Sequence, residues 1–148
     1  VGSLLQGALQ HYRSQQSLLS TKVVSVEPTN AACILASVEA KSPTAVDTAT
    51  TVMAGLNCGT ISTLAWPYVK NGLDGSIAVT DHEDIVAAKD LAKLGIPAGP
   101  CGAAGLAGLR NILTGPDASA HKKQLNLDEA STVIILITEG SDANPVPD

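Results

Sequence analysis

Phenylalanine is absent from this sequence, and aromatic residues make up only 2% of it. Its core must therefore be filled by Ala, Val, Leu and Ile. Cationic side chains are also scarce: Lys and Arg number 9 against 14 Asp and Glu, for a formal net charge of -5. A phosphate backbone is bound by a basic face, so nucleic acid is excluded as a partner. No run of about eighteen apolar residues occurs, which excludes a membrane-spanning helix and points to no membrane partner. The cysteines, Cys33, Cys58 and Cys101, stand far apart with no CxxC pair, and His11, His82 and His121 share no ligand spacing with them. That pattern argues against a disulfide framework and against a metal site, and favours free thiols in a cytoplasmic setting.

What is present suits one globular domain. The chain has 148 residues, 45% hydrophobic and 16% charged, a composition that folds rather than one that stays disordered. Leu4, Leu5, Ala8, Leu9 and Tyr12 recur at helical spacing, which predicts an amphipathic helix over residues 3–13. "TKVVSVEP" reads as a buried strand stopped by Pro28, and "NAACILASVEA" as a helix. "TVMAGLNCGT" starts extended and carries Gly55 and Gly59; "ISTLAWPYVKN" looks helical, with Pro67 as a kink. "GSIAVTD" is a short strand, followed by the clearest helix, "TDHEDIVAAKDLAKLG". There Thr80 and Glu83 form a capping box, Asp81, Glu83 and Asp84 crowd the positive end as capping residues, and Gly95 ends the helix. A Gly/Ala-rich helix over "CGAAGLAGLRNIL" and a short one within "GPDASAHKKQLNLDEA" precede "TVIILIT", which reads as the strongest strand. The tail "EGSDANPVPD" reads as irregular. Alternating strands and helices imply a parallel α/β sheet.

Ligands of open parallel sheets bind beyond the carboxyl ends of the strands. That directs attention to residues 27–31, 81–84 and 138–141, and to the glycine-rich stretches at Gly2, 53–59 and 99–105. Such glycines serve tight turns and close helix packing, or a planar ligand held by backbone. On the residues alone, Cys101 in "GPCGAAGLAGL" reads as a nucleophile, a metal ligand, a packed small residue or a wall of a binding site.

The motifs "VEPTNAA", "TTVMAGLNCGT", "LAWP", "AVTDHE", "GPCGAAGLAGL" and "IILITEGSD", in that order, resemble the fold-type II pyridoxal-phosphate enzymes of the tryptophan synthase β-like superfamily. This family includes serine and threonine dehydratases, serine racemase and diaminopropionate ammonia-lyase. "TVMAGLNCGT" with the "TEG" ending resembles the last branch. The resemblance covers nearly the whole chain. It implies an α/β three-layer parallel sheet, with residues 1–148 as the C-terminal part of the large, cofactor-binding domain and the upstream part missing. It also implies pyridoxal phosphate as cofactor, a small amino-acid substrate, a homodimer at full length, and α,β-elimination on 2,3-diaminopropionate to pyruvate and ammonia. A serine or threonine dehydratase or racemase of the same fold, or a non-catalytic remnant, are the alternatives.

Residue by residue, Gly2 and Ser3 match the end of the family's phosphate-binding loop, where backbone N–H groups open a helix; an ordinary N-cap Ser is the alternative. Met53, Ala54 and Gly55 match the segment against the cofactor ring, Cys101 a wall residue, and Thr138 the hydroxyl that hydrogen-bonds the pyridine nitrogen. The family's covalent lysine lies upstream in a Ser-x-Lys setting; "STK" at 20–22 leads into a strand and does not match. No catalytic residue is therefore expected here, and the chain alone should be inactive. Glu27 matches a carboxylate that binds a divalent ion in some relatives, with an oxygen at Ala31 and an Asp where this chain has Cys33. Loss of that hard ligand argues against a metal. Gly99 stands where dehydratases carry Glu; Cys58 is expected to be structural, and Trp66 core or interface.

Overall fold

The computed structural model describes residues 2–16 and 20–147. Helix α1, Ser3–Ser14, is followed by strand β1, Val24–Pro28, and helix α2, Cys33–Ala40. A long connection leads to helix α3, Trp66–Gly72, and strand β2, Gly75–Val79. Helices α4, Asp81–Lys93, α5, Pro100–Thr114, and α6, Ala118–Leu125, complete the order. Most predicted elements before residue 126 form near their expected bounds; the helix expected over "ISTLAWPYVKN" begins only at Trp66. Pro67 kinks nothing, because it sits in the first turn of α3, where its missing N–H costs no helical bond.

Strands β1 and β2 run parallel, in register from Val24 opposite Gly75 to Pro28 opposite Val79. Helices cover both faces. On one, α5 lies so close that a Cβ on Gly108 would stand 2.5 Å from Val26 Cγ2. On the other, Glu27 reaches across to the start of α2. Each face has its own core. Met53 and Val79 pack with alanines of α4 and α5 and with Leu91, while Leu9, Cys33, Ile34, Ile61, Ala65 and Val69 join α1, α2 and α3. Trp66 packs against the second cluster. With so few aromatics, close helix approach replaces bulk: Ala103, Ala104 and Ala107 meet Ala87, Ala88 and Leu91.

One expected element is corrected. Residues 132–138 form no strand, and the sheet among the described residues is two-stranded. The "TVIILIT" run satisfies every local requirement of a buried strand, but a strand exists only through hydrogen bonds to a neighbour. No described segment pairs with it. Ile135 and Ile137 instead rest against Gly105 and Gly102 of α5, and Ile134 and Leu136 remain 71% and 57% exposed. The irregular tail is nonetheless tied down: Ala98 and Gly140 form an antiparallel bridge, and the Ser141 N–H donates to the Pro97 carbonyl at 2.8 Å. No helix among the described residues is long and apolar enough to cross a membrane.

Candidate functional site

The carboxyl ends of β1 and β2 are bridged by the connection at residues 49–56. Asn30, just past β1, donates from Nδ2 to the Thr50 carbonyl at 2.8 Å. Asp81, just past β2, accepts from Thr51 Oγ1 and from the Val52 N–H, the latter at 3.2 Å. Met53 is drawn fully into the core beside Val79. The following single 3-10 turn, Ala54–Leu56, is left facing outward, with Ala54 and Gly55 exposed. A Cβ on Gly55 would meet Cys101 Sγ at 3.2 Å, and the Gly55 N–H donates to that sulfur at 3.3 Å.

Cys101 belongs to the first turn of α5, whose N-cap, Gly99, offers no capping side chain. The cap comes from elsewhere in the chain. The Gly99 N–H donates to the Glu139 carbonyl at 3.0 Å, and the Cys101 N–H to Glu139 Oε2 at 2.9 Å. Asn144 closes the arrangement by donating from Nδ2 to the Val52 carbonyl at 3.3 Å. Thr138, one residue before Glu139, is exposed, and its hydroxyl makes no hydrogen bond among the described residues.

The electrostatics of this corner are acidic and partly desolvated. Burial, followed by the nearby Glu139 carboxylate, pushes the Cys101 thiol above its ordinary range, so it stays protonated. Asp84 also departs from expectation: it caps nothing. Its carboxylate is fully buried with neither oxygen hydrogen-bonded, and burial, then the charges of Asp81 and Glu139, pushes it up to about 7. The capping box itself is as expected, with Thr80 and Glu83 bonded reciprocally.

Gly2 and Ser3 lie at the start of α1. Gly2, not Ser3, is the N-cap, at φ 114°, a left-handed conformation that suits glycine. A Cβ there would stand 2.9 Å from Ala65 Cβ. No acidic residue and no side-chain cap occupies the first turn. At Glu27, both carboxylate oxygens accept backbone N–H groups of α2, from Ile34 at 2.8 Å and Leu35 at 2.9 Å. Burial and then Glu27 push the Cys33 thiol up to about 11, leaving a poor ligand. "STK" is equally spent, since Lys22 pairs with Asp74 at 3.1 Å, at the far end of the strands.

Of the residues singled out from sequence, Gly55 and Cys101 are thus in contact, with Ala54 beside the first and Thr138 next to the residue that caps the second. Glu139 fell within the stretch 138–141, but its role was not legible, because a cap supplied from 38 residues away has no local spacing; Asn144 carried no signal at all. Asp84 did carry a signal. Positions 84, 87, 88 and 91 are the buried stripe of α4, so Asp84 stands at an apolar position of the helical pattern.

The pyridoxal-phosphate dependent enzyme family matches residues 1–139. Diaminopropionate ammonia-lyase of Escherichia coli (strain K12) is 30% identical over 149 residues, covering 95% of this chain. The chain spans 37% of that relative's length. The solved structure of the Escherichia coli diaminopropionate ammonia-lyase in complex with D-serine superposes with a TM-score of 0.75 at 27% identity, over 95% of this chain and 36% of that one. A fungal L-serine ammonia-lyase from Rhizomucor miehei shares the fold, with a TM-score of 0.77 at 22% identity, over 95% and 43% of the two chains.

Proposed function

The chain belongs to the pyridoxal-phosphate dependent enzymes, and from that membership we propose that its full-length protein is an ammonia-lyase converting 2,3-diaminopropionate to pyruvate and ammonia. The residues present fit the cofactor. The N-terminus of α1 has no side-chain cap and no acidic residue in its first turn among the described residues, which suits the phosphate. Gly55 leaves a flat wall against Cys101, with no side chain to obstruct a ring. Thr138 offers an exposed hydroxyl without a hydrogen-bond partner among the described residues, which suits the pyridine nitrogen. When bound, pyridoxal phosphate supplies the electron sink for bond breaking at the substrate's α-carbon. A hydroxyl, unlike a carboxylate, does not hold the ring nitrogen protonated, and the milder sink is adequate where a leaving group departs from the β-carbon. The protonated thiol of Cys101 takes part as wall, accepting the Gly55 N–H. In this reading the covalent lysine and the groups that grip the substrate carboxylate lie outside these residues, and the 148-residue chain alone turns over nothing.

The observation that carries the reading is the meeting of Gly55, Cys101 and the segment after Thr138 at the carboxyl edge of the sheet. The choice of branch rests on the 30% identical relative. Pyruvate release by the full-length protein with pyridoxal phosphate tests it, comparing diaminopropionate with the enantiomers of serine and threonine. Preference for diaminopropionate is the expected result. Preference for serine or threonine moves the substrate to the dehydratases, and no turnover with no cofactor absorbance overturns the reading.

A further inference from the structure

Glu139 links several parts of the candidate site. Its carbonyl accepts the Gly99 N–H at 3.0 Å, and its carboxylate accepts the Cys101 N–H at 2.9 Å. The same oxygen lies 3.5 Å from Asn144 Nδ2, which itself donates to the Val52 carbonyl. Glu139, the residue after Thr138, therefore ties the start of α5 that carries Cys101 to Asn144, which in turn holds Val52 in the segment leading to Gly55.

The placement has a physical reason. Pro100 has no N–H, so the Cys101 N–H is the first donor that α5 presents. A local N-cap side chain would ordinarily take it. At position 99 there is no room: an added Cβ would meet the Gly140 carbonyl at 2.8 Å and Glu139 Oε2 at 2.8 Å. The acceptor must come from another loop, and Glu139 Oε2 supplies it.

We propose that Glu139 is the positioning residue of this site, holding Cys101 against Gly55 and Thr138 beside the start of α5 by capping α5 from outside the helix. This rests on the cofactor reading above and goes beyond it, because Glu139 acts through residues of the pocket wall rather than on the cofactor. What matters is an acceptor oxygen at the Cys101 N–H. Glu139→Gln keeps such an oxygen without charge. Glu139→Asp keeps the charge but is too short to reach.

The test is pyridoxal phosphate binding to the full-length protein, read by absorbance titration and by the position of the bound-cofactor band. Thermal unfolding of the cofactor-free protein is followed in parallel. Glu139→Gln is expected to bind within about twofold of the unaltered protein, whereas Glu139→Ala and Glu139→Asp lose about tenfold and shift the band, a loss of about the size of a missing cap. Unaltered affinity and band in Glu139→Ala overturn the proposal. If the alanine variant does not fold, the other two decide: Asp binding as well as or better than Gln makes charge the requirement and overturns it. Absence of any cofactor band in the unaltered protein removes the cofactor reading and this inference with it. That outcome is distinguishable because it precedes every substitution.

Discussion

Asp84 is the residue whose environment departs furthest from its chemistry. Its neighbours on the buried face of α4 are Ala87, Ala88 and Leu91, and neither carboxylate oxygen has a hydrogen-bond partner among the described residues. A carboxyl pushed up to about 7 in the folded chain, from 3.8, binds its proton more tightly folded than unfolded. Its contribution is therefore most favourable below about pH 4, and that advantage is lost as pH rises through about 7. Asp84→Asn has no proton to lose. It is expected to raise the melting temperature of the full-length protein by several degrees at pH 8, on the order of 1–3 kcal/mol. The gain should shrink steadily toward pH 4. Thermal scans across that range check it, and a difference that does not vary with pH would mean that Asp84 is already ionised when folded.

Helix α5 shows what the glycines of "GPCGAAGLAGL" do. Gly102, Gly105 and Gly108 share one face, and Cβ atoms there would stand 2.4 Å from the Glu139 carbonyl, 2.6 Å from Ile135 Cγ2 and 2.5 Å from Val26 Cγ2. The alanines face α4. Two effects oppose each other on replacing such a glycine. Helix propensity favours alanine by about 1 kcal/mol, while overpacking costs about 1–3 kcal/mol. At Gly108 the neighbour is a stiff valine, so overpacking wins. Gly108→Ala is expected to destabilise by about 1–2 kcal/mol. In α1, nothing lies within 4 Å of a Cβ at Gly7, so Gly7→Ala should stabilise by roughly 0.5–1 kcal/mol. Denaturant midpoints of the two variants should move in opposite directions, and a rise in both would show that propensity alone governs both helices.

At the scale of the molecule, residues 132–137 present Val133, Ile134, Leu136 and Ile137 to solvent in one short stretch. A contiguous apolar patch with no cover drives association, and unpaired backbone beside it offers a template for pairing. The 148-residue chain prepared alone is expected to self-associate. Ile134→Lys with Leu136→Lys should shift it toward the monomer in sedimentation velocity. An unchanged distribution would assign the association to another surface.

Much of this architecture was legible in the sequence. Helix α4 announced itself through Thr80, Glu83 and Gly95, and β1 and β2 through short apolar runs, because caps and periodicity act between residues a few positions apart. The ordered motifs placed the chain in its family, but the contact between Gly55 and Cys101 belongs to the fold and not to either motif. Only the tertiary structure decided the rest. "TVIILIT" has every local property of a strand, yet a ladder needs a second segment, and none among the described residues pairs with it. Pro67 reads as a kink until its place in the first turn of α3 is known. Asp84 reads as a capping residue until α5 and its neighbours close over it, and Glu139 reads as a tail residue until the chain folds it back onto α5. Local order follows from interactions within a turn of helix, which the order of residues states directly. Burial, pairing and capping at a distance depend on which surfaces meet, and only the folded chain states that.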